Sequence, residues 1–201
     1  MGLDVNYIDG QTPLEEDEKE SLLIKSITTR GELDEFEQLN IEKAIQWTIG
    51  KKWKPLFILS ENFIKILHKK MFSDVWSWAG EFRKTNKNIG VDKYEIGIYL
   101  KQLLDDSLYW FENQTYSDEE FAIRFKHRIV KIHCFANGNG RHSRLMADII
   151  MSHIFGKPLF NWNRRNLNKK SEARSQYLLA VRIADSGDIN PLINFAKSKK
   201  G

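Results

Sequence analysis

The sequence predicts a mainly α-helical domain that carries one small β-hairpin. Three observations lead there. Capped stretches with helical spacing of apolar residues recur along the chain. Glycine and asparagine interrupt that spacing over residues 76–94. A composition of 41% hydrophobic and 12% aromatic residues over 201 positions is enough for one sizeable core.

Thr12-Pro13-Leu14-Glu15 reads as an N-cap, a proline at the first helical position and a capping acid, predicting a helix to about Ile24. Thr29-Arg30-Gly31-Glu32 repeats the pattern and opens a second helix to Trp47, with Leu33, Phe36, Leu39, Ile41 and Ile45 as its apolar stripe. Ser60 caps a third, through Phe63, Ile64, Leu67 and Met71. Gly80, Asn86, Asn88 and Gly90 then mark loop and hairpin. Helical spacing resumes from Ile96 to Trp110. Ser117-Asp118-Glu119-Glu120 opens a helix carrying Phe121, Phe125, Ile129, Val130 and Ile132, which ends near His133. After a glycine-rich loop, a helix from Gly140 bears Leu145, Met146, Ile149, Ile150 and Ile154 and stops at Phe155-Gly156-Lys157-Pro158. Ser171 to Ala184 and Asn190 to Lys197 supply two more helices.

The charge balance is mild: 31 basic against 27 acidic residues, net +4, with a pI near 9.0. It permits polyanion binding without requiring it. Cys134 is the only cysteine, so an intrachain disulfide and a cysteine-rich zinc site are excluded. Met1 to Gly10 has no signal-peptide pattern, and no apolar run reaches the length of a membrane span. A soluble, cytoplasmic protein with no membrane association is expected.

The chemistry concentrates in His133-Cys134-Phe135-Ala136-Asn137-Gly138-Asn139-Gly140-Arg141-His142-Ser143-Arg144. Two glycines around an asparagine allow a tight turn whose N–H groups point inward. The helix that follows adds its unpaired N–H groups and positive dipole end, making an anion site. Arg141 and Arg144, three apart, can reach one side of that site with paired donors suited to phosphate. His133, just before the loop, could take a proton from an attacking hydroxyl. Asn137 offers an oxygen to Mg²⁺. Taken singly, each residue also has a plain structural reading: a turn, a helix-end histidine, surface arginines.

Together they closely resemble the signature of the Fic family, HxFx[D/E]GNGRxxR, at His133, Phe135, Gly138, Asn139, Gly140, Arg141 and Arg144. The resemblance implies a Fic-type helical bundle over residues 56–201, preceded by an N-terminal helical extension, 1–55. It implies transfer of AMP from ATP to a hydroxyl of a target protein, with Mg²⁺ as cofactor. His133 would be the general base, and Gly138, Asn139, Gly140, Arg141 and Arg144 would hold ATP phosphates. Phe135 would anchor the loop. Two departures stand out: Cys134 replaces a proline, and Asn137 replaces the acidic metal ligand, which predicts weaker metal affinity. A Doc-type relative that phosphorylates its target has lysine where this chain has Gly140, so AMP transfer is expected over phosphate transfer. A nucleotide-binding module without catalysis is the alternative from another class.

Trp76-Ser77-Trp78-Ala79-Gly80-Glu81-Phe82-Arg83 resembles the element before the family's target-binding flap, placing that flap near residues 84–96. The family's inhibitory helix pattern, [S/T]xxxE[G/N], finds Thr28 and Glu32 at the right spacing, which would bring Glu32 to Arg144. The same residues fit an ordinary capping box. Thr12-Pro13-Leu14 and Thr28 to Leu33 also resemble a bacterial Fic subgroup, mobile mystery protein B, which implies a small helix-turn-helix partner protein. Lys157, Arg164, Arg165, Lys169, Lys170 and Arg174 form a basic cluster that reads as a solvated face, so nucleic acid is not the expected partner. His127, His133 and His142 lack the pattern of a zinc site.

Overall fold

The computed structural model describes residues 13–162, 167 and 171–198. Thr12, Arg164, Arg165, Lys169 and Lys170, invoked above, lie outside them. Within the described residues the helices are α1 Glu16–Glu20, α2 Arg30–Thr48, α3 Pro55–Ile58, α4 Glu61–Phe72, α5 Ile96–Glu112, α6 Asp118–Ile132, α7 Asn139–Ile149, α8 Glu172–Asp185 and α9 Asn190–Lys197. A π-helical turn, Ile150–Ile154, extends α7. None of them is long and apolar enough to cross a membrane.

Side-chain caps set four of the helix starts. Thr29, Ser60, Ser117 and Ser171 each accept a hydrogen bond from the backbone N–H three residues on. The first helix departs from expectation: Glu15 is its N-cap, Glu15 N donates to Glu18 Oε2 at 2.8 Å, and the helix lasts five residues. α6 and α7 pack against one another, with α4 and α5 against them, and Phe63, Leu67, Phe125, Phe135 and Met146 fill the space between, all fully buried.

The expected stripe on α2 is rotated. Leu33, Glu37, Asn40, Ile41, Ala44 and Thr48 are the buried residues, whereas Phe36 and Leu39 are exposed. The buried face succeeds because its polar members have partners. Asn40 Nδ2 donates to Lys70 O at 3.0 Å, and Asp74 N donates to Asn40 Oδ1 at 2.9 Å, fastening α2 to the end of α4. Trp76 Nε1 donates to Glu37 Oε1 at 2.6 Å.

The β-hairpin expected over residues 84–96 is not formed. Among the described residues there is no strand, only an isolated antiparallel bridge between Leu22 and Trp76. Side chains take the place of ladder hydrogen bonds. The Arg83 guanidinium donates to Thr85 O at 2.9 Å and to Val91 O. Asn86 Oδ1 accepts from Lys93 N at 2.8 Å, and its Nδ2 donates to Asp92 Oδ2 at 2.7 Å. The N-terminal segment also lies along this region: Ser77 N donates to Ser21 O at 3.1 Å, and Lys87 Nζ meets Glu18 Oε2 at 2.5 Å. The Lys87 side chain is only 2% exposed, so this ion pair is desolvated.

Removing one partner of a buried pair strands the other charge. Glu18→Ala is therefore expected to cost about 3 kcal/mol in urea unfolding. Adding Lys87→Met should recover much of that loss. A double variant as unstable as the two single losses summed would remove the ion pair from this account.

Candidate active site

The loop between α6 and α7 is shaped from within. Asn139 opens α7, and its buried amide closes on Phe135 from both sides. Its Oδ1 accepts from Phe135 N at 2.9 Å, and its Nδ2 donates to Phe135 O at 2.7 Å. Gly138 caps the helix at φ +78°, in the left-handed region that favours glycine. A Cβ there would stand 2.5 Å from Phe72 Cζ. The N–H groups at the start of α7 and its positive dipole end face the cavity lined by Gly138, Asn139 and Gly140.

His133 ends α6 in the left-handed conformation, φ 59° and ψ 59°, an uncommon state for a residue with a side chain. Arg83 holds it there: Nε donates to His133 O at 2.7 Å, and Arg83 N donates to Cys134 O at 2.9 Å. His133 Nδ1 lies 3.3 Å from Val130 O. A carbonyl only accepts, so Nδ1 carries the proton and Nε2 keeps the lone pair. Burial holds the imidazole neutral, with its pKa down to about 4; Val130 O opposes that shift and the nearby Arg83 and Lys87 charges add to it.

His68 supports the loop from beneath, and the sequence reading passed over it. Gly80 N donates to His68 Nδ1 at 3.0 Å, so the other nitrogen, Nε2, donates to Asn137 O at 3.0 Å. The ring stacks on Phe135 at 3.7 Å between centroids. Its signal in the sequence was a histidine within the apolar pattern of α4. Cys134, in the proline's place, is fully buried, and burial pushes its thiol up to about 12, which removes it as a nucleophile. The three histidines considered for zinc go separate ways: His127 Nε2 to Asp185 Oδ1 at 3.0 Å, His142 Nε2 to Ile64 O at 3.1 Å, and His133 to Val130.

His133, Asn137, Gly138, Asn139, Gly140, Arg141 and Arg144 come together around one cavity of about 120 Å³. Glu32 does not join them. Its carboxylate is fully exposed and accepts from Thr28 N at 2.9 Å and Thr29 N at 3.0 Å, which lowers its pKa. It is the N3 partner of Thr29 in the α2 capping box, with the N–H groups of Thr28 and Thr29 beside it. The α2 carboxylate that reaches the loop is Glu37, 1% exposed, whose Oε2 meets Arg141 Nη1 at 2.6 Å. The pair is an ion pair without hydrogen-bond alignment at Oε2. Arg30 and Asp34, one turn apart and paired at 2.9 Å, line the cavity from the same helix face. Burial raises the pKa of Asp34, against the pull of Arg30 and Arg141. The cavity is smaller than the roughly 300 Å³ of common small-molecule pockets, because α2 stands over it. Arg144 lies over the ring of Tyr177, its Cζ 5.6 Å from the centroid.

Asn137 is poorly placed as a strong metal ligand. Its Oδ1 already accepts from Gly138 N at 2.6 Å. Among the described residues no cluster of histidine, cysteine or carboxylate groups could hold a metal. The loop thus offers Mg²⁺ one neutral oxygen, which fits an ion carried in by a triphosphate better than one held by the protein alone.

Residues 58–151 match the model of the Fic/DOC family. This segment is a Fic/DOC domain. Among curated proteins, the chain is 25% identical over 175 residues to Protein adenylyltransferase Fic of Drosophila grimshawi, covering 85% of this chain and 33% of that protein. Against Protein adenylyltransferase fic-1 of Caenorhabditis elegans it is 26% identical over 120 residues, covering 58% of this chain and 22% of that one. The chain thus spans a third or less of the length of these relatives. Solved structures share the fold of the Fic domain. BepC of Bartonella tribocorum, with bound AMPPNP, superposes with a TM-score of 0.69 at 16% identity, covering 91% of this chain and 97% of that one. Fic-1 of Caenorhabditis elegans gives 0.65 at 22%, covering 80% and 47%.

Gly138→Ala combines a strained φ with a clash, so it is expected to lower stability by about 2 kcal/mol or more. Gly140→Ala, helical and with 3.7 Å to its nearest neighbour, should change it by less than about 1 kcal/mol. Thermal melts of the two variants check the contrast, and equal shifts would contradict it.

Proposed function

We propose that this chain is a protein adenylyltransferase, moving AMP from ATP to a side-chain hydroxyl of another protein. The observation that carries the reading is a neutral imidazole, oriented by Val130 O, on the wall of the same cavity as the N–H groups of the Gly138–Gly140 turn. The target hydroxyl attacks the α-phosphorus. His133 Nε2 takes the hydroxyl proton as the new P–O bond forms and the bond to pyrophosphate breaks. Arg141, Arg144 and the first N–H groups of α7 take up the leaving charge. Mg²⁺ bound with the triphosphate supplies further charge neutralisation, and Asn137 would be its protein ligand. The adenylyltransferase names of the relatives support the reaction, and Gly140, in place of the lysine of Doc-type proteins, favours AMP over phosphate transfer. The target docks at residues 84–96.

The same chain is restrained, with Glu37 in the role expected of Glu32. While Glu37 holds Arg141 from behind, an incoming phosphate meets an occupied guanidinium and the carboxylate of Asp34. Glu37→Gln keeps an acceptor for Trp76 Nε1 and removes the charge. It is expected to raise AMP incorporation from labelled ATP at least about tenfold, whereas Glu32→Gln leaves it unchanged. In the Glu37→Gln background, His133→Ala should lower the rate by about 10²–10⁴ while ATP still binds. Incorporation that survives His133→Ala would overturn the reading.

Because the free imidazole stays neutral down to about pH 4, the base form is present above that value and lost below it. The acid limb of kcat/KM is therefore expected near pH 4, and a limb near 6.5 would contradict the buried base. Asn137→Asp should lower the Mg²⁺ concentration for half-maximal rate, by restoring charge at the ligand.

A further inference from the structure

Lys126 lies on α6, two turns before His133, and is completely buried. Among the described residues its Nζ finds no acceptor in hydrogen-bond geometry. Its electron-rich neighbour is Tyr177, whose ring centroid is 4.7 Å away. Arg144 lies against the same ring. Tyr177 is itself 7% exposed and forms part of the cavity wall. The Asp185 carboxylate, which also acts on Lys126, is engaged by His127 at 3.0 Å and by Lys131 at 3.5 Å.

An ammonium buried against a phenol, with no carboxylate in salt-bridge contact among the described residues, is costly, and folds rarely retain one without a use. Burial drives its pKa down and Arg144 adds to that, while the Tyr177 hydroxyl and the Asp185 charge pull it back up. Burial raises the Tyr177 phenol, yet Lys126 and Arg144 outweigh it and bring the phenol to about 8. Two cations therefore share one aromatic residue at the edge of the anion site, and the deeper of them has only the Tyr177 phenol and the field of an already engaged Asp185 to offset it.

We propose that Lys126 is a positioning residue for the polyphosphate end of a nucleoside triphosphate, acting through Tyr177 and Arg144. It presses the Tyr177 ring and the guanidinium stacked on it toward the cavity, and it adds positive potential behind the site. The ligand that completes the charge balance is the triphosphate, so the effect grows with the number of phosphates. This inference rests on the nucleotide reading of the cavity.

The test is calorimetric titration of the full chain, carrying Glu37→Gln, with ATP and with AMP, each with Mg²⁺. Lys126→Met is expected to weaken ATP about tenfold and AMP less than about threefold, since the charge acts on the phosphates. It should also raise Tm, because a buried charge without a salt bridge is gone. Lys126→Gln provides a second variant of the same sign. An unchanged ATP-to-AMP affinity ratio overturns the proposal, as does a fall in Tm with equal loss for both ligands, which would make the lysine a part of the fold alone. Absence of ATP binding to the Glu37→Gln parent would instead overturn the nucleotide reading itself.

Discussion

The clip between Asn139 and Phe135 is the contact on which the site depends. One amide side chain satisfies a buried backbone N–H and a buried carbonyl, and in doing so fixes the curvature of the loop between α6 and α7. That curvature sets where the first N–H groups of α7 point and how far His133 stands from them. Around the clip the supports are redundant. His68 ties the loop to Gly80, Arg83 ties His133 and Cys134 to the segment beyond, and Phe72 closes against Gly138. The turn that opens α7 and the His133 ring thus share one rigid frame, the preorganisation that the proposed proton transfer and charge stabilisation would both require.

Opposed charge is the second theme. α2 presents Arg30, Asp34 and Glu37 on one face at helical spacing, and Glu37 reaches Arg141 while also accepting from Trp76. Under the proposed function, the Glu37 carboxylate neutralises a guanidinium that would otherwise meet the polyphosphate. On the far wall, Lys126 and Arg144 crowd Tyr177 with surplus positive charge. Among the described residues lining the cavity, Asp34 is the one carboxylate and is paired with Arg30 on α2, against Arg141, Arg144 and Arg174 from α7 and α8.

Local features were readable in the sequence, and long-range ones were not. The caps at Thr29, Ser60 and Ser117 act over three residues, so local spacing alone announces them. The motif loop is contiguous, and its residues do meet around one cavity. Glu37 is different. A glutamate on a buried stripe makes sense only once Trp76 and Arg141 arrive from distant parts of the chain, so reading α2 by hydrophobicity turned its face and promoted Phe36 and Leu39. Thr28, Thr29 and Glu32 have spacings that serve both a capping box and an inhibitory pattern, and in the structure Glu32 fills the first. The hairpin misled for a related reason: Asn86, Gly90 and their neighbours suit a turn, but Arg83 and Asn86 supply the partners that strands would otherwise exchange. A buried lysine such as Lys126 reads from sequence as solvated charge, and only its neighbours reveal otherwise.

The central claim is a neutral imidazole, protonated at Nδ1, on the wall of a cavity that holds phosphate. Nitrogen NMR of the His133 ring, recorded over pH and with added ATP, tests it most directly. The account predicts the Nδ1–H tautomer, a titration midpoint near 4, and a shift of Nε2 when ATP and Mg²⁺ are added to the Glu37→Gln chain. A midpoint near 6.5 with an Nε2 signal indifferent to ATP would contradict it.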